Sequence, residues 1–361
     1  MPEPSSTPLK TPTLAGFAAL GLFWGAWAAV LPGVQHATGA SKGALGLALL
    51  FVTVGSLPAM LLIAGPAVDR YGARAVALGC AAFAVATTLP GLATSLPVLA
   101  LTLVVAGGAS GALDVGINAN AARIEADTGQ RLMPLAHGLY SVGVLVGAVA
   151  AGVARSQGAT REPILLAVSA LLALTALLLG TDRAPGTGGH GQRRLHIERA
   201  LLLIGIVAAA ALVVEGGMES WSALYLERQL GAQPQISGLG PGVIGLSMAL
   251  GRFYGQATHL SDRALLTGGA ALAAAGCTIA ALAPSSPIAL VGFFAGGAGI
   301  SVNAPITFGA AGRSRRDSAS AVATVTTLGY VGLLVGPPLV GGVGQAVSLR
   351  GSFVVLAAVA A

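Results

Sequence analysis

The chain has 361 residues, of which 55% are hydrophobic and only 9% are Asp, Glu, Lys or Arg, with a net charge of +6. A soluble domain has charges on about a quarter of its residues, so this composition excludes a soluble protein. The apolar residues form continuous runs of about 20 residues, the length of a helix that spans a bilayer. A transmembrane β-barrel would show short alternating segments with aromatic girdles. The sequence therefore predicts an all-α polytopic membrane protein.

Twelve apolar runs, separated by proline, glycine and charged residues, are predicted as membrane spans. Six precede residue 181, at 13–34, 43–64, 75–94, 97–122, 132–154 and 163–180. Six more follow, at 200–226, 237–257, 264–283, 287–310, 318–346 and 351–361. The last run rises only about 16 Å as a helix. We interpret it as an incomplete twelfth span in a truncated chain.

Charge and composition divide the chain into two groups of spans. A basic, glycine-rich stretch at 181–199 is predicted as a cytoplasmic linker between a six-helix bundle at 13–180 and a second bundle at 200–361, after a cytoplasmic tail at 1–12. With the N-terminus inside, fourteen of the nineteen Lys and Arg residues lie on the cytoplasmic side and five lie outside. This is the asymmetry of a positive-inside topology. The basic charge therefore indicates orientation and requires no nucleic-acid partner.

The two groups of spans are related by an internal repeat. An offset of 189 residues aligns a series of positions: Gly108 with Gly297, Asp114 with Asn303, Ile117 with Ile306, and Gly147 with Gly336. An ordered series at one offset indicates two halves with the same order of spans. Parallel repeats of this kind place a binding site at the interface of the repeats.

A charged motif, G-x-x-x-D-R-x-G-x-R, follows the second span on the predicted cytoplasmic side. It comprises Gly65, Asp69, Arg70, Gly72 and Arg74. Gly65 and the proline after it permit a tight turn, and an aspartate accepts hydrogen bonds from helix N-termini or arginines. We predict a gating role in which the motif holds neighbouring helices in one conformation. A solvated charged turn is the alternative.

Together with twelve spans and a central linker, this motif resembles the cytoplasmic signature of the major facilitator superfamily. The resemblance covers nearly the whole chain, and it implies two six-helix bundles that move about a central site. In the fourth span, Asp114 is followed by Asn118. This spacing is similar to that of the fucose permease branch, where it implies that the carboxylate is linked to proton coupling.

The physical chemistry of Asp114 leads independently to the same prediction. A carboxylate near the middle of a bilayer is costly, and it faces a cavity or a partner by default. Asp114 and Asn118 stack on one helical face. Proton coupling is therefore predicted for Asp114, with a structural buried hydrogen bond as the alternative. His137 of the fifth span is predicted at a similar depth and is assigned to the same proton pathway, with a satisfied core histidine as the alternative.

The seventh span adds two carboxylates, Glu215 and Glu219, on one helical face. Glu215 is assigned to proton coupling and Glu219 to the outer part of the substrate site, with solvation of Glu219 as the alternative. The residues predicted to contact the substrate are aromatic, amide or acidic: Trp24, Trp27, Asn118, Tyr140, Glu219, Trp221 and Asn303. Trp221 could instead be an interfacial belt residue. Pro305 is expected to kink the tenth span next to Asn303 and expose a carbonyl, with a packing kink as the alternative.

These features predict a secondary active transporter that imports a small polar solute, such as a sugar, by proton symport and alternating access. Its partners are the solute, protons and the lipid bilayer. We expect a monomer in the bacterial inner membrane with a cytoplasmic N-terminus, and not an enzyme: no catalytic residues, metal site or cofactor are predicted. One alternative is a drug/proton antiporter, although the fifth span lacks the expected G-P-x-x-G-G ending. A non-transporting receptor or scaffold of transporter fold is the other.

Overall fold

A computed structural model of the chain describes residues 9–130, 132–182, 198–313 and 318–361, and all regular secondary structure in these ranges is helical. Most of the predicted tail at 1–12 and most of the predicted linker at 181–199 lie outside the described residues. Six of the arginines counted on the cytoplasmic side also lie outside them.

The helices before residue 182 correspond to the first six predicted spans. They are α1 (Lys10–Thr38), α2 (Lys42–Pro58), α3 (Gly65–Tyr71), α4 (Ala73–Ala86), α5 (Leu89–Leu92), α6 (Leu96–Thr128), α7 (Met133–Ser156) and α8 (Arg161–Leu179). A π-helical segment, Ala59–Ala64, joins α2 to α3. The second span is therefore helical from Lys42 to Tyr71.

The helices after residue 198 correspond to the remaining spans. They are α9 (Arg199–Leu230), α10 (Pro234–Ser237), α11 (Leu239–Ala257), α12 (Asp262–Leu282), α13 (Ser286–Ile300), α14 (Asn303–Gly312), α15 (Ser318–Ala346) and α16 (Leu349–Ala360). Within the described ranges, ten helical segments are long and apolar enough to cross a membrane. The helix α11 is not among them, because Arg252 and five glycines lower the hydropathy of its 19 residues.

The described residues divide into two compact units. The first contains the residues up to 182 except 41–50, and in it α1 packs along α7 and α8 while α4 packs along α6 and α8. The second contains 41–50 and the residues from 198 onward, with α9 along α15 and α12 along α13 and α16. The segment 41–50 belongs to the second unit, where Lys42 Nζ donates to the carbonyl of Gly344 at 3.3 Å. The predicted bundle boundaries place this segment in the first bundle and stay a prediction.

Glycines allow the helices of each unit to approach closely. A Cβ atom added to Gly21 or Gly25 of α1 would lie 2.0 Å from the carbonyl oxygen of Tyr140 or Val144 in α7. In the second unit, a Cβ atom on Gly332 of α15 would lie 2.1 Å from a backbone oxygen of α9. In lipid, the hydrophobic effect does not drive helices together. Helix packing there depends on close contact between backbones, which small residues allow.

The turn of the charged motif lies later in the chain than the sequence analysis placed it. Gly65 and Pro66 continue the second span as the first residues of α3, and the chain turns at Gly72, whose φ is 57°. Pro66 has no N–H for the helical hydrogen-bond ladder, and the π-helical segment ends two residues before it, at Ala64. The predicted turn at Gly65 is therefore wrong, because Gly72 is the position that requires a glycine conformation.

Equivalent contacts in the two units support the internal repeat. In the first unit, Arg161 Nη2 donates to the carbonyl of Ala93 at 3.3 Å. In the second, Arg350 Nη2 donates to the carbonyl of Ala283 at 2.9 Å. In each unit, an arginine in the first turn of a helix, α8 or α16, thus donates to a backbone carbonyl in the loop that follows the third span of that unit.

Candidate functional site

Asp114 and Asn118 contact each other on one face of α6, as their spacing predicts. Nδ2 of Asn118 donates to Oδ1 of Asp114 at 3.0 Å and to the backbone carbonyl of Asp114 at 2.9 Å. Both side chains are half-buried. An amide N–H can donate to a carboxylate and equally to the carbonyl oxygen of a protonated carboxyl group. The contact can therefore hold the side chain of Asp114 in place in either protonation state.

His137 lies farther from Asp114 along the helix axes than the sequence analysis predicted. Glu125 Oε1 accepts from the backbone N–H groups of Leu132 and Met133, at 2.5 and 2.8 Å, so the start of α7 lies level with that part of α6. From this level Asp114 is about 16 Å along α6, whereas His137 is about 8 Å along α7. Because side chains tilt toward the N-terminus of their own helix, these two also point apart. The predicted match in depth is wrong, since α6 continues beyond residue 122 to Thr128.

The aromatic residues predicted to contact the substrate in the first unit form part of a larger aromatic cluster. Phe23 meets Trp24 edge-on at 5.1 Å and stacks on Trp27 at 6.4 Å. Trp27 is buried and Trp24 is half-buried, so Trp24 keeps more of its ring surface accessible. Tyr140 is half-buried on α7, and His137, on the same helix, meets a phenylalanine of α1 edge-on at 5.3 Å.

Trp221 lies in the interior of the second unit. Its side chain is fully buried, and its Nε1 donates to the carbonyl of Pro337 at 3.0 Å. The interfacial-belt alternative is therefore wrong, because a belt residue would face the lipid headgroups. Contact with a solute stays a prediction for this residue, and its indole N–H already has a partner within the protein.

Asn303 lies at a break in the tenth span. The helix α13 ends at Ile300 and α14 begins at Asn303, so the predicted kink beside Pro305 is confirmed. Pro305 has no N–H with which to bond the carbonyl of Ser301 one turn earlier. Nδ2 of Asn303 makes a 3.4 Å contact with the carbonyl of Val207, and its buried Oδ1 has no hydrogen-bond partner in the described structure.

A cavity of about 250 Å³ borders Asn303 within the second unit. Its walls come from α9, α12 and α13 and from the end of α16, and they are mainly apolar: Ile206, Ala210, Val214, Leu266, Ala270 and Ile300. The amide of Asn303 is the polar side chain on this wall. The predicted contact between Asn303 and a polar solute stays a prediction.

Glu215 and Glu219 of α9 lie near a third charge that the sequence analysis assigned elsewhere. Arg252 of α11 acts electrostatically on both carboxylates, and Glu215 acts on Glu219. Arg252 was counted among the cytoplasmic charges, but it lies inside α11, which continues for five residues to Ala257. Glu219 is half-buried on α9, and both its predicted contact with the solute and the alternative of a solvated side chain stay predictions.

The residues of the charged motif extend from the first residue of α3 to the start of α4. Asp69 is half-buried, Arg70 and Arg74 are exposed, and Gly72 is buried. The guanidinium of Arg70 lies 5.4 Å from the ring centre of Tyr71. This contact joins two neighbouring residues, and the predicted gating role stays a prediction.

Two carboxylates that the sequence analysis did not single out cap helix starts. Glu125 bonds the first N–H groups of α7, as described above, and Oδ2 of Asp182 accepts from the backbone N–H of Leu9 at the start of α1 at 2.9 Å. The first N–H groups of a helix need such acceptors. An acid within a few residues of a predicted helix start is the signal that could have indicated Glu125.

Comparisons with known proteins agree with this architecture. A family model described as Major Facilitator Superfamily matches residues 13–263. An uncharacterised MFS-type transporter of Yersinia pestis is 33% identical over 349 residues, which cover 94% of this chain and 90% of the relative. The nucleoside transporter NupG has a similar structure with a TM-score of 0.76 at 12% identity, over 97% of this chain and 96% of NupG.

A further similar structure is the E. coli fucose:proton symporter FucP, with a TM-score of 0.64 at 16% identity, over 97% of this chain and 95% of FucP. At these identities the likeness to solved structures establishes the fold alone. The family match covers well over half of the chain, and the relative from Yersinia pestis is similar over almost its whole length. The chain therefore belongs to the Major Facilitator Superfamily of multi-pass membrane transporters.

Proposed function

We propose that the chain is a proton-coupled symporter that imports a small polar solute, such as a sugar, by alternating access. The observation that supports coupling most strongly is the contact between Asp114 and Asn118. Asp114 lies about 27 Å from the start and about 21 Å from the end of α6, which is near the middle of a helix long enough to cross the bilayer. An ionisable group at that depth indicates a functional site by default.

Proton binding at Asp114 requires little rearrangement of its surroundings. The protonated side chain is neutral, and Asn118 can still donate to its carbonyl oxygen. A hundredfold difference in proton occupancy between the two access states corresponds to about 2.7 kcal/mol. A change in hydration of one carboxyl group is sufficient for a difference of that size. Proton coupling at Asp114 therefore requires a change in the access of water to its carboxyl group, and no further titratable group.

The solute is inferred from the side chains around the candidate site. In the first unit, Trp24 and Tyr140 offer ring faces and Asn118 offers an amide donor and acceptor, a combination suited to a ring that carries hydroxyl groups. The relatives of similar fold include a nucleoside transporter and a fucose:proton symporter. Both named solutes contain a polar ring, which supports the same solute class here. Trp221, predicted to contact the solute, donates its indole N–H to a carbonyl inside the second unit.

Topology and gating complete the proposal. The asymmetry of Lys and Arg residues supports a bacterial inner-membrane protein with its N-terminus in the cytoplasm. In that orientation, the turn at Gly72 faces the cytoplasm. Asp69 and Arg70 at the end of α3 would then stabilise one access state, as proposed for this charged motif. We propose that the chain functions as a monomer.

The function is tested with purified protein in proteoliposomes under an imposed pH gradient. Uptake is measured for a panel of radiolabelled sugars, nucleosides and cationic drugs. We expect at least one sugar or nucleoside to accumulate when the outside is acidic, and accumulation to cease when an ionophore removes the gradient. Efflux of a cationic drug driven by the opposite gradient would support an antiporter instead. Uptake that is insensitive to pH would contradict proton coupling.

A further inference from the structure

The second span changes its type of helix partway along its length. The α-helix α2 ends at Pro58, the π-helical segment Ala59–Ala64 follows, and α-helix resumes in α3. Hydrogen bonds join residues five apart in a π-helix and four apart in an α-helix. A single π-helical turn therefore inserts one extra residue into the span. Such turns are rare, and they frequently lie at functional sites.

Burial along the span shows where the extra residue is accommodated. Gly55 and Ala59 are buried and four residues apart, as on one face of an α-helix. The next buried residue of the span is Ala64, five residues later and 3% exposed. Ile63, which an α-helix would place at this point of the buried face, is instead 64% exposed. The stripe of small buried residues therefore continues because the segment is π-helical.

The part of the span before the π-helical segment packs tightly against α6, the helix that carries Asp114. A Cβ atom added to Gly55 would lie 2.0 Å from the carbonyl oxygen of Val104. One added to Gly107 would lie 2.1 Å from the carbonyl oxygen of Val52. Rotation of α2 at this crossing would replace Gly55 with a larger residue, so the two helices would have to separate. The crossing therefore fixes the orientation of α2 on α6.

The π-helical segment lies beside the part of α6 that leads to Asp114. A Cβ atom added to Gly111 would lie 2.8 Å from Cγ of Met60, a residue of the segment. From the crossing at Gly55 to this contact, the residue numbers of both helices increase, so the two helices run in parallel. Asp114 follows Gly111 by three residues on the same face, and Ala64 follows Met60 by four. The end of the segment therefore lies at nearly the same height as Asp114.

The part of the span after the segment is held less firmly. None of the seven residues of α3, Gly65–Tyr71, all of which the structure describes, is buried. The helix α3 ends at Gly72, where a φ of 57° lets the chain turn toward α4. It carries Asp69 and Arg70 of the charged motif. Rotation of the second span therefore disturbs fewer packed side chains in α3 than in α2.

We propose that the π-helical segment switches between two registers as the transporter changes access. In the π-helical register Ala64 faces α6, and in an α-helical register Ile63 takes that position. The change turns α3 by about 100° and moves it about 1.5 Å along the axis relative to α2. Asp69 and Arg70 then change their surroundings, while the crossing at Gly55 stays fixed. This inference rests on the proposed function, since it gives the register change a role in alternating access.

Val115 of α6 is the position from which a cross-link can distinguish the two registers. It follows Gly111 by four residues on the same face, as Ala64 follows Met60 by four. In the π-helical register we expect Val115 to lie opposite Ala64. In the α-helical register we expect it to lie opposite Ile63.

Disulfide cross-linking in proteoliposomes, with copper phenanthroline as oxidant and mass spectrometry as readout, tests the two registers. The native cysteines are buried and do not compete. We expect a disulfide in Ala64→Cys with Val115→Cys and also in Ile63→Cys with Val115→Cys, because both registers are populated. Leu62→Cys with Val115→Cys is the matched negative control, since Leu62 is adjacent in sequence and 74% exposed. It should form no disulfide.

Transport measured on the cross-linked protein tests the role of the register change. The disulfide between positions 64 and 115 fixes the π-helical register, so it should abolish uptake of any solute that accumulates in the panel described above. Reduction with dithiothreitol should restore uptake. Ala59→Cys with Gly108→Cys is the matched control, since a Cβ atom added to Gly108 lies 3.7 Å from Cβ of Ala59, a distance suited to a disulfide. This contact lies before the register change, so its disulfide should leave uptake unchanged.

Hydrogen–deuterium exchange of the wild-type protein addresses the same point without a substitution. Conversion between registers breaks the hydrogen bonds of the π-helical segment, so its amides should exchange faster than those of α2. Equal protection of the two would contradict a register change.

The cross-linking results separate the register change from the proposed function. Disulfide formation at Ile63 or Ala64 that is no more frequent than at Leu62 would overturn the inference. Uptake that continues with positions 64 and 115 linked would overturn it as well. Disulfides at both Ile63 and Ala64 in a protein that takes up no solute of the panel would instead support the register change and contradict the proposed function.

Discussion

Gly21→Ala tests the close contact between α1 and α7, which supports the aromatic part of the candidate site. The added Cβ atom would lie 2.0 Å from the carbonyl oxygen of Tyr140, whereas ordinary van der Waals contact begins at 3.4 Å. Because the obstructing atom belongs to the backbone, the two helices must separate by about 1.4 Å or tilt. Overpacking of this kind costs about 1–3 kcal/mol. For a unit of this size, that corresponds to a decrease in Tm of roughly 3–10 °C.

Gly33→Ala is the matched control, since Gly33 lies on the same helix and an added Cβ atom has no neighbour within 4 Å. Alanine is the better helix former by about 1 kcal/mol, so this variant should have an unchanged or higher Tm. Thermal unfolding is followed with a thiol-reactive fluorophore, because the two cysteines of the chain, Cys80 and Cys277, are buried and free. Equal Tm values for the two variants would refute the packing argument.

Three further predictions concern single contacts. Trp221→Phe removes the indole N–H that donates to the carbonyl of Pro337, so thermal unfolding should show a loss of about 1 kcal/mol, and an unchanged Tm would contradict that contact. Glu125→Ala removes the acceptor at the start of α7, whereas Glu125→Gln retains an oxygen, so the alanine variant should be the less stable by about 1 kcal/mol in the same assay. Asp69→Asn should slow transport severalfold in proteoliposomes while equilibrium solute binding stays within twofold; a full transport rate would exclude gating by Asp69.

Hydropathy predicted the existence and order of the spans, but not where their helices end. The helix α6 was predicted to end at residue 122 and extends to Thr128, where Gly129 adopts a φ of 69°. Hydropathy detects the apolar part of a helix, whereas its end is set by capping and by residues with left-handed backbone conformations. This difference of six residues separated His137 from Asp114 in depth.

Contacts between candidate site residues of one helix could be predicted from the sequence. Interactions between residues of two different helices could not. The contact between Asp114 and Asn118 follows from a four-residue spacing, which brings side chains together on any helix. The electrostatic influence of Arg252 on Glu215 could not be found in this way, because Arg252 lies on another helix and its distance from Glu215 depends on how α9 and α11 pack. A positive charge near the end of a span has the same sequence signature whether it orients the protein or pairs with an acid.

Comparison of wild type with Asp114→Asn in one proteoliposome preparation tests proton coupling at Asp114 most directly. Asparagine has the size and neutrality of the protonated acid and retains an oxygen that can accept from Asn118. We predict that the variant binds solute and catalyses counterflow exchange at rates near those of wild type, but no longer accumulates solute under an inward proton gradient. Uphill accumulation in Asp114→Asn, with the pH dependence of wild type, would contradict the assignment of Asp114 as the coupling residue.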